Sequence, residues 1–342
     1  MANSADQHLT IPVVDFALAR TGFQEDRQRV AKELYEAFKN VGFAYVKNHG
    51  VPQEVVDEAF SWNRRFFGMS QTDKDKAPHP LEAWHHRGYS SVGREKVSQM
   101  IFDEASISAA RSVPDVKESY EIGRDDKEAP LTNVWPPQDL LPGFREFFTK
   151  FYDVCYVAEL EILRLIALGL GLEEEYFIPF HKNKDNQIRL LHYPPIEENL
   201  LRQGKAERIA AHTDFGTITM LFQDDVGGLE VEDASEKGRF IPAPYIPNTA
   251  VVNIADFLMR WSNDELKSTM HRVKAPPLAA GEDEAVTNHR VTRARHSVVY
   301  FVGADLEKTV DCVPGCWGPE RPKKYEPVNA FEYIRMRMEA TY

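Results

Sequence analysis

The chain has 342 residues, 43% hydrophobic and 11% aromatic, enough for a sizeable core in one large domain or two ordinary ones. Its 41 Lys and Arg against 53 Asp and Glu leave a formal charge of −12; the best basic cluster, NHRVTRARHS, is short and mixed, which speaks against a nucleic-acid surface. Three cysteines cannot build a disulfide framework, no apolar run nears the ~20 residues of a membrane span, and the N-terminal MANSADQHLT has neither part of a signal peptide, so a soluble, cytoplasmic protein without a membrane partner is expected.

In chain order, IPVVDFA reads as a short strand, and EDRQRVAKELYEAFKNV as a helix with Val30, Leu34 and Phe38 at four-residue steps. GFAYVKNHG reads as a second strand, and the run opened by Pro52, PQEVVDEAFSWNRRFFG, as a second helix. The stretch 70–140 is polar and loop-rich, and periodicity assigns nothing in it, including RGYSSVGREKVSQM and KESYEIGRDD. From 143 to 172 runs one long helix whose apolar residues wrap more than half its surface, a core support ended by Gly169 and Gly171. Beyond 185 the character changes to short strand-like runs divided by turn residues: QIRLLHYPP, ITMLFQ, GLEVED, GRFIPAP, TAVVNIADF, STMHRVKAPP and RHSVVYFVG. The expected organisation is a helical, mixed region over 1–180 and a β-rich catalytic region over 181–342, forming one compact unit of α+β class.

HTDFG at 212–216 places His212 and Asp214 two apart at the mouth of an alternating run, where on a strand they share a face. With His271 of STMHRV they make two histidines and a carboxylate, a set that leaves positions open on non-haem Fe(II), whereas structural zinc would be saturated. The residues alone also allow a hydrogen-bonded turn with His271 in the core. Arg295 and Ser297, again two apart, could grip a dicarboxylate's far end through a guanidinium fork, or Arg295 could be a surface strand charge. Tyr193 offers a phenol at another strand start.

Together IPVVDF, VGFAYVKNHGVP, LGLGLEEEYF, RLLHYPP, HTDFGTITMLFQDDVGGLEV, RWSNDELKSTMHRV and RHSVVYF resemble the Fe(II)- and 2-oxoglutarate-dependent dioxygenases of the isopenicillin N synthase-like type, over nearly the whole chain. The resemblance implies a double-stranded β-helix (jelly-roll) core flanked by N-terminal helices, including the long supporting one. It implies His212, Asp214 and His271 as iron ligands and catalytic centre, Arg295, Ser297 and Tyr193 as the 2-oxoglutarate pocket, and O2 as oxidant, with succinate and CO2 as co-products. The reaction it implies is oxidation of a C–H bond in a small, flat organic molecule. The nearest members are fungal: the thymine hydroxylase type, which oxidises a pyrimidine methyl, and natural-product oxygenases of specialised metabolism. The family pattern is departed from at Leu191, where asparagine is usual, and the thymine hydroxylase pattern at His86 and Phe215, where that type has asparagine and tyrosine. Candidate substrate contacts are Phe215, Phe301, which shares a strand face with Arg295, and Arg189, which shares one with Tyr193; Arg87 and Tyr89 follow from the resemblance alone. The segment 275–294 looks longer than usual and reads as a surface loop. The rival readings are an oxidase of this fold that uses no 2-oxoglutarate, and a non-catalytic metal-binding jelly roll.

Overall fold

Four-residue apolar spacing becomes helix, and two-residue alternation becomes sheet, in a computed structural model that describes residues 10–82, 85–95, 113, 115–276 and 290–339. The elements in order are β1 (Val13–Asp15), α1 (Gln24–Asn40), β2 (Phe43–Lys47), α2 (Gln53–Phe67), α3 (Gln71–Lys74), β3 (Gly88–Ser90), β4 (Glu118–Gly123) and α4 (Phe144–Gly169). The second half contributes β5 (Gln187–Tyr193), α5 (Glu198–Arg202), β6 (Ile209–His212), β7 (Ile218–Gln223), β8 (Leu229–Glu232), β9 (Phe240–Pro242), β10 (Thr249–Ile254) and α6 (Asp256–Trp261). It closes with β11 (His271–Val273), β12 (Arg295–Val302), β13 (Thr309–Val310), β14 (Val328–Asn329) and α7 (Ala330–Glu339).

An eight-stranded sheet runs β1-β2-β10-β7-β12-β5-β4-β3, and a four-stranded sheet runs β6-β11-β8-β9. The large sheet takes β1 to β4 from the first half of the chain and β5, β7, β10 and β12 from the second, so the helical half and the β-rich half share one sheet. The unassigned stretch 70–140 holds α3 and the two strands β3 and β4 that finish this sheet. β4 is buried at every residue, and its polar residues on a covered strand hide the alternation that sequence reading depends on.

The large sheet separates two cores. One face carries Ala44, Val46, Ile188, Leu190, Met220, Phe222, Val252, Val298 and Tyr300 against the helices. There α1 packs on α4, whose Phe144, Phe148, Phe151, Cys155, Ile162 and Ile166 are buried; truncating one such phenylalanine costs about 3–5 kcal/mol. The other face carries Phe43, Tyr45, Leu191, Tyr193, Val251 and Val299, which meet Ile209, Leu229, Val231, Ile241 and Val273 of the small sheet. This sheet-on-sheet layer is the jelly-roll interior, and the site lies within it. No described helix is long and apolar enough to cross a membrane.

Candidate active site

Two strands of the small sheet end at the same level. His212 closes β6, His271 opens β11, and the two are direct cross-strand partners with ring centres 4.3 Å apart. Each ring is turned by the backbone two residues before it: His212 Nδ1 lies 2.8 Å from Ala210 O and His271 Nδ1 3.2 Å from Thr269 O. A protonated Nδ1 donating there leaves Nε2 as the free acceptor on both rings. Those Nε2 atoms point at one oxygen, Asp214 Oδ1, at 3.8 Å from His212 and 3.7 Å from His271.

Asp214 does not share a strand with His212, as the two-residue spacing predicts; it sits in the turn from β6 to β7. Backbone bonding explains the difference. Asp256 N–H donates to Asp214 O at 2.9 Å and Thr213 Oγ1 donates to Asp256 Oδ2 at 2.8 Å, so the N-terminus of α6 holds the turn in place of a sheet ladder. Gly216 presses this turn against β12, where an added Cβ would stand 2.2 Å from Val302 O. Asn253, on β10, donates Nδ2 to Asp214 Oδ2 at 2.8 Å and leaves Oδ1 for the histidines.

Burial first, and then the neighbouring His271, hold the His212 imidazole down to about 3, so it is neutral near pH 7 and its nitrogen pair is available to a cation. Burial works to raise the Asp214 carboxyl, but the two histidines and the Asn253 hydrogen bond outweigh it and keep it below the usual carboxylate range. Two imidazole nitrogens and one carboxylate oxygen, all within 4.8 Å of one another, fit a divalent metal held on one side only.

On the large sheet, counting in twos places Gln187, Arg189, Leu191 and Tyr193 of β5 beside Arg295, Ser297, Val299 and Phe301 of β12 along one wall of a cavity of about 180 Å³. The metal-type cluster lines the same cavity. Tyr193 and Arg295 are paired across the strands. Arg295 is 1% exposed, and its partners are neutral: Ser297 Oγ at 3.4 Å and Gln223 Oε1 at 3.2 Å, with Nε unpartnered among the described residues. A buried guanidinium without a carboxylate is costly, and a bound dicarboxylate supplies the missing charge, so these residues fit 2-oxoglutarate.

At the other end of the wall, Phe215, Phe301 and Arg189 also line the cavity. Arg189 is held by Glu95 at 3.0 Å, Glu121 at 3.1 Å and His86 Nδ1 at 3.1 Å, and its guanidinium lies 5.5 Å from the Phe301 ring centre. Arg87 and Tyr89 do not reach the cavity. Arg87 lies in the wall behind, its guanidinium occupying the space a Cβ on Gly123 would need. It donates to His86 O at 2.6 Å, while the Tyr89 hydroxyl donates to Glu118 at 2.5 Å. Leu191, where the resemblance predicts asparagine, faces the cavity as an apolar residue. Most of the segment 275–294 lies outside the described residues.

Several lining or supporting residues escape sequence reading. Gln223 and Asn253 follow the inward alternation of β7 and β10 and are findable by counting from Thr219 and Val251. Glu95 and Ile334 are brought to the cavity by the tertiary fold, with no local pattern to announce them.

Two family models match the chain: non-haem dioxygenase in morphine synthesis N-terminal over residues 11–138, and 2OG-Fe(II) oxygenase superfamily over 184–304. The chain is 36% identical to the 2-oxoglutarate-dependent dioxygenase gloF of Glarea lozoyensis, across 98% of this chain and 100% of that one. It is 37% identical to the proline hydroxylase buaE of Petromyces alliaceus, across 96% of this chain and 97% of that one. Its structure is similar to that of a full-length Neurospora crassa protein in complex with alpha-KG and thymine, with a TM-score of 0.86 and 38% identity over 99% of each chain. A jelly-roll interior, a one-sided His-Asp-His cluster and full-length relatives of this kind lead to one conclusion: the chain belongs to the 2OG-Fe(II) oxygenase superfamily and is an Fe(II)- and 2-oxoglutarate-dependent dioxygenase.

Proposed function

We propose that His212, Asp214 and His271 hold the iron, that Arg295, Ser297 and Tyr193 hold the distal carboxylate of 2-oxoglutarate, and that a small, flat, uncharged molecule is oxidised between Phe215 and Phe301. The observation that carries this reading is the buried Arg295, paired only with neutral groups, on the wall of the cavity that also holds the His-Asp-His cluster. When bound, iron and 2-oxoglutarate supply the oxygen-activating chemistry, with succinate and CO2 as products. The protein's part is orientation and exclusion of water. Asn253 and the Nδ1 contacts fix the ligand atoms, and Gln223 fixes the guanidinium that receives the co-substrate.

Arg189 supports an uncharged substrate. Glu95 and Glu121, with Lys117 paired to Glu95, already balance its charge, so it orients a polar edge without attracting a carboxylate. Gln187 adds an amide, its Nε2 unpartnered among the described residues, on the same wall. A second reading, a pyrimidine methyl hydroxylase, is favoured by the similarity to the Neurospora crassa complex with thymine; a proline hydroxylase of nearly equal identity stands against it. The three free thiols support a reducing, cytosolic setting.

The test is a screen that reads succinate formed above the substrate-free background, with thymine, prolyl peptides and methyl-bearing aromatic compounds as arms. Strong stimulation by a flat neutral compound supports the reading. Stimulation confined to carboxylate-bearing substrates would overturn the role given to Arg189.

A further inference from the structure

A second buried arginine stands beside the first. Arg208, one residue before β6, is fully buried; its Nη2 donates to Thr292 Oγ1 at 3.1 Å and to Arg293 O at 2.7 Å. Its Nε and Nη1 have no partner among the described residues. Its guanidinium carbon lies 5.9 Å from the centre of the Tyr193 ring, and that of Arg295 lies 5.0 Å from the same ring. Two buried cations therefore flank one phenol, and neither is bonded to a carboxylate among the described residues.

The acids whose charge reaches Arg208 are engaged elsewhere. Asp224 accepts from the backbone N–H groups of His296 and Val226, at 2.5 and 3.1 Å. Glu198 accepts from Arg202 at 3.0 Å and faces Arg290 at 3.4 Å. Burial, and then the charge of Arg295, bring Arg208 down to about 10, which leaves it a cation at neutral pH. Two like charges in a low-dielectric interior repel each other unless an anion shares their field. A monoanion satisfied by Arg295 alone gives no reason for the second cation. The Arg208 side chain also clamps the chain at Thr292 and Arg293, which leads directly into Arg295 at the start of β12.

We propose that Arg208 is a positioning residue for the co-substrate: acting across Tyr193 and through the Thr292–Arg293 clamp, it makes the pocket selective for a 2-oxo acid with a distal carboxylate. This rests on the assignment of Arg295 to 2-oxoglutarate.

The test is anaerobic calorimetric titration of the iron(II)-loaded full chain with 2-oxoglutarate and with 2-oxopentanoate, which carries a methyl where the distal carboxylate would be. Arg208→Met should weaken 2-oxoglutarate about tenfold, which is about 1.4 kcal/mol, and leave 2-oxopentanoate within about twofold; Arg208→Lys should restore most of the loss. Equal weakening of both ligands, or of neither, would overturn the proposal, because a merely structural arginine does not distinguish them. Arg295→Met provides the test if the Arg208 variant does not fold. With Arg208 in place, that protein should still prefer 2-oxoglutarate several-fold, and equal affinities would refute the role of Arg208. An Arg295→Met protein that binds 2-oxoglutarate as tightly as the wild type would remove the Arg295 assignment itself, a distinguishable failure.

Discussion

Asp214 turns one oxygen toward both histidines and gives the other to Asn253 Nδ2 at 2.8 Å. The Asn253 bond sets which oxygen is free and where it points, so Asn253→Leu should lower iron(II) affinity about 10- to 100-fold with little change in fold. Calorimetric titration with iron(II) measures this directly; unchanged affinity would mean that the carboxylate is oriented by its turn alone. At this scale residue type and two-residue spacing are enough to nominate His212, Asp214, His271 and Arg295, which the fold brings to one cavity. Glu95 was not, since it reaches Arg189 from a loop with no period. Arg87 and Tyr89 show the opposite failure: the resemblance alone suggests contact with substrate, and both are engaged behind the wall, Arg87 against Gly123 and Tyr89 with Glu118.

Between elements, the turn from β6 to β7 is packed backbone against backbone on β12. Gly216 has no room for a side chain, with Val302 O 2.2 Å from an added Cβ. Gly216→Ala should therefore displace the turn that carries Asp214 or push β12 away, at a cost of several kcal/mol. Thermal unfolding checks this, with a clear fall in Tm expected; a variant as stable as the wild type would show that the joint is softer than its packing implies. Counting in twos along RLLHYPP and RHSVVYFVG gave the inward rows of β5 and β12, since both strands alternate between the helical core and the cavity. The same rule placed Asp214 on the β6 strand, where α6 captures the backbone and ends the ladder. It gave nothing for β3 and β4, whose buried residues are largely polar and lack a hydrophobic period.

For the whole molecule, the long helix α4 does more than fill space. Its Glu159 is fully buried behind the large sheet, accepting from Asn186 Nδ2 at 2.6 Å and from the Tyr300 hydroxyl at 3.1 Å. Burial pushes this carboxyl well above the ordinary glutamate range. A folded-state value raised in this way contributes stability that is complete below the unfolded value and lost as pH rises through the folded one. Glu159→Gln keeps the acceptor and removes the titration. It should match the wild type near pH 4 and exceed it in Tm at pH 9 by on the order of 2–4 °C; a variant less stable at pH 9 would show that the ionised carboxylate is accommodated. The long helix is legible from composition and period, whereas the sheet shared by both halves of the chain is not, because strand pairing between distant segments leaves no local mark. The proposed metal ligands and the proposed co-substrate pocket line one cavity. The decisive experiment is succinate yield from 2-oxoglutarate, with iron content measured on the same samples, for wild type and Asp214→Ala. Iron-dependent succinate formation is expected in the wild type, and loss of both iron and turnover in the variant. Full iron occupancy with undiminished succinate in Asp214→Ala would refute the assignment of the cluster.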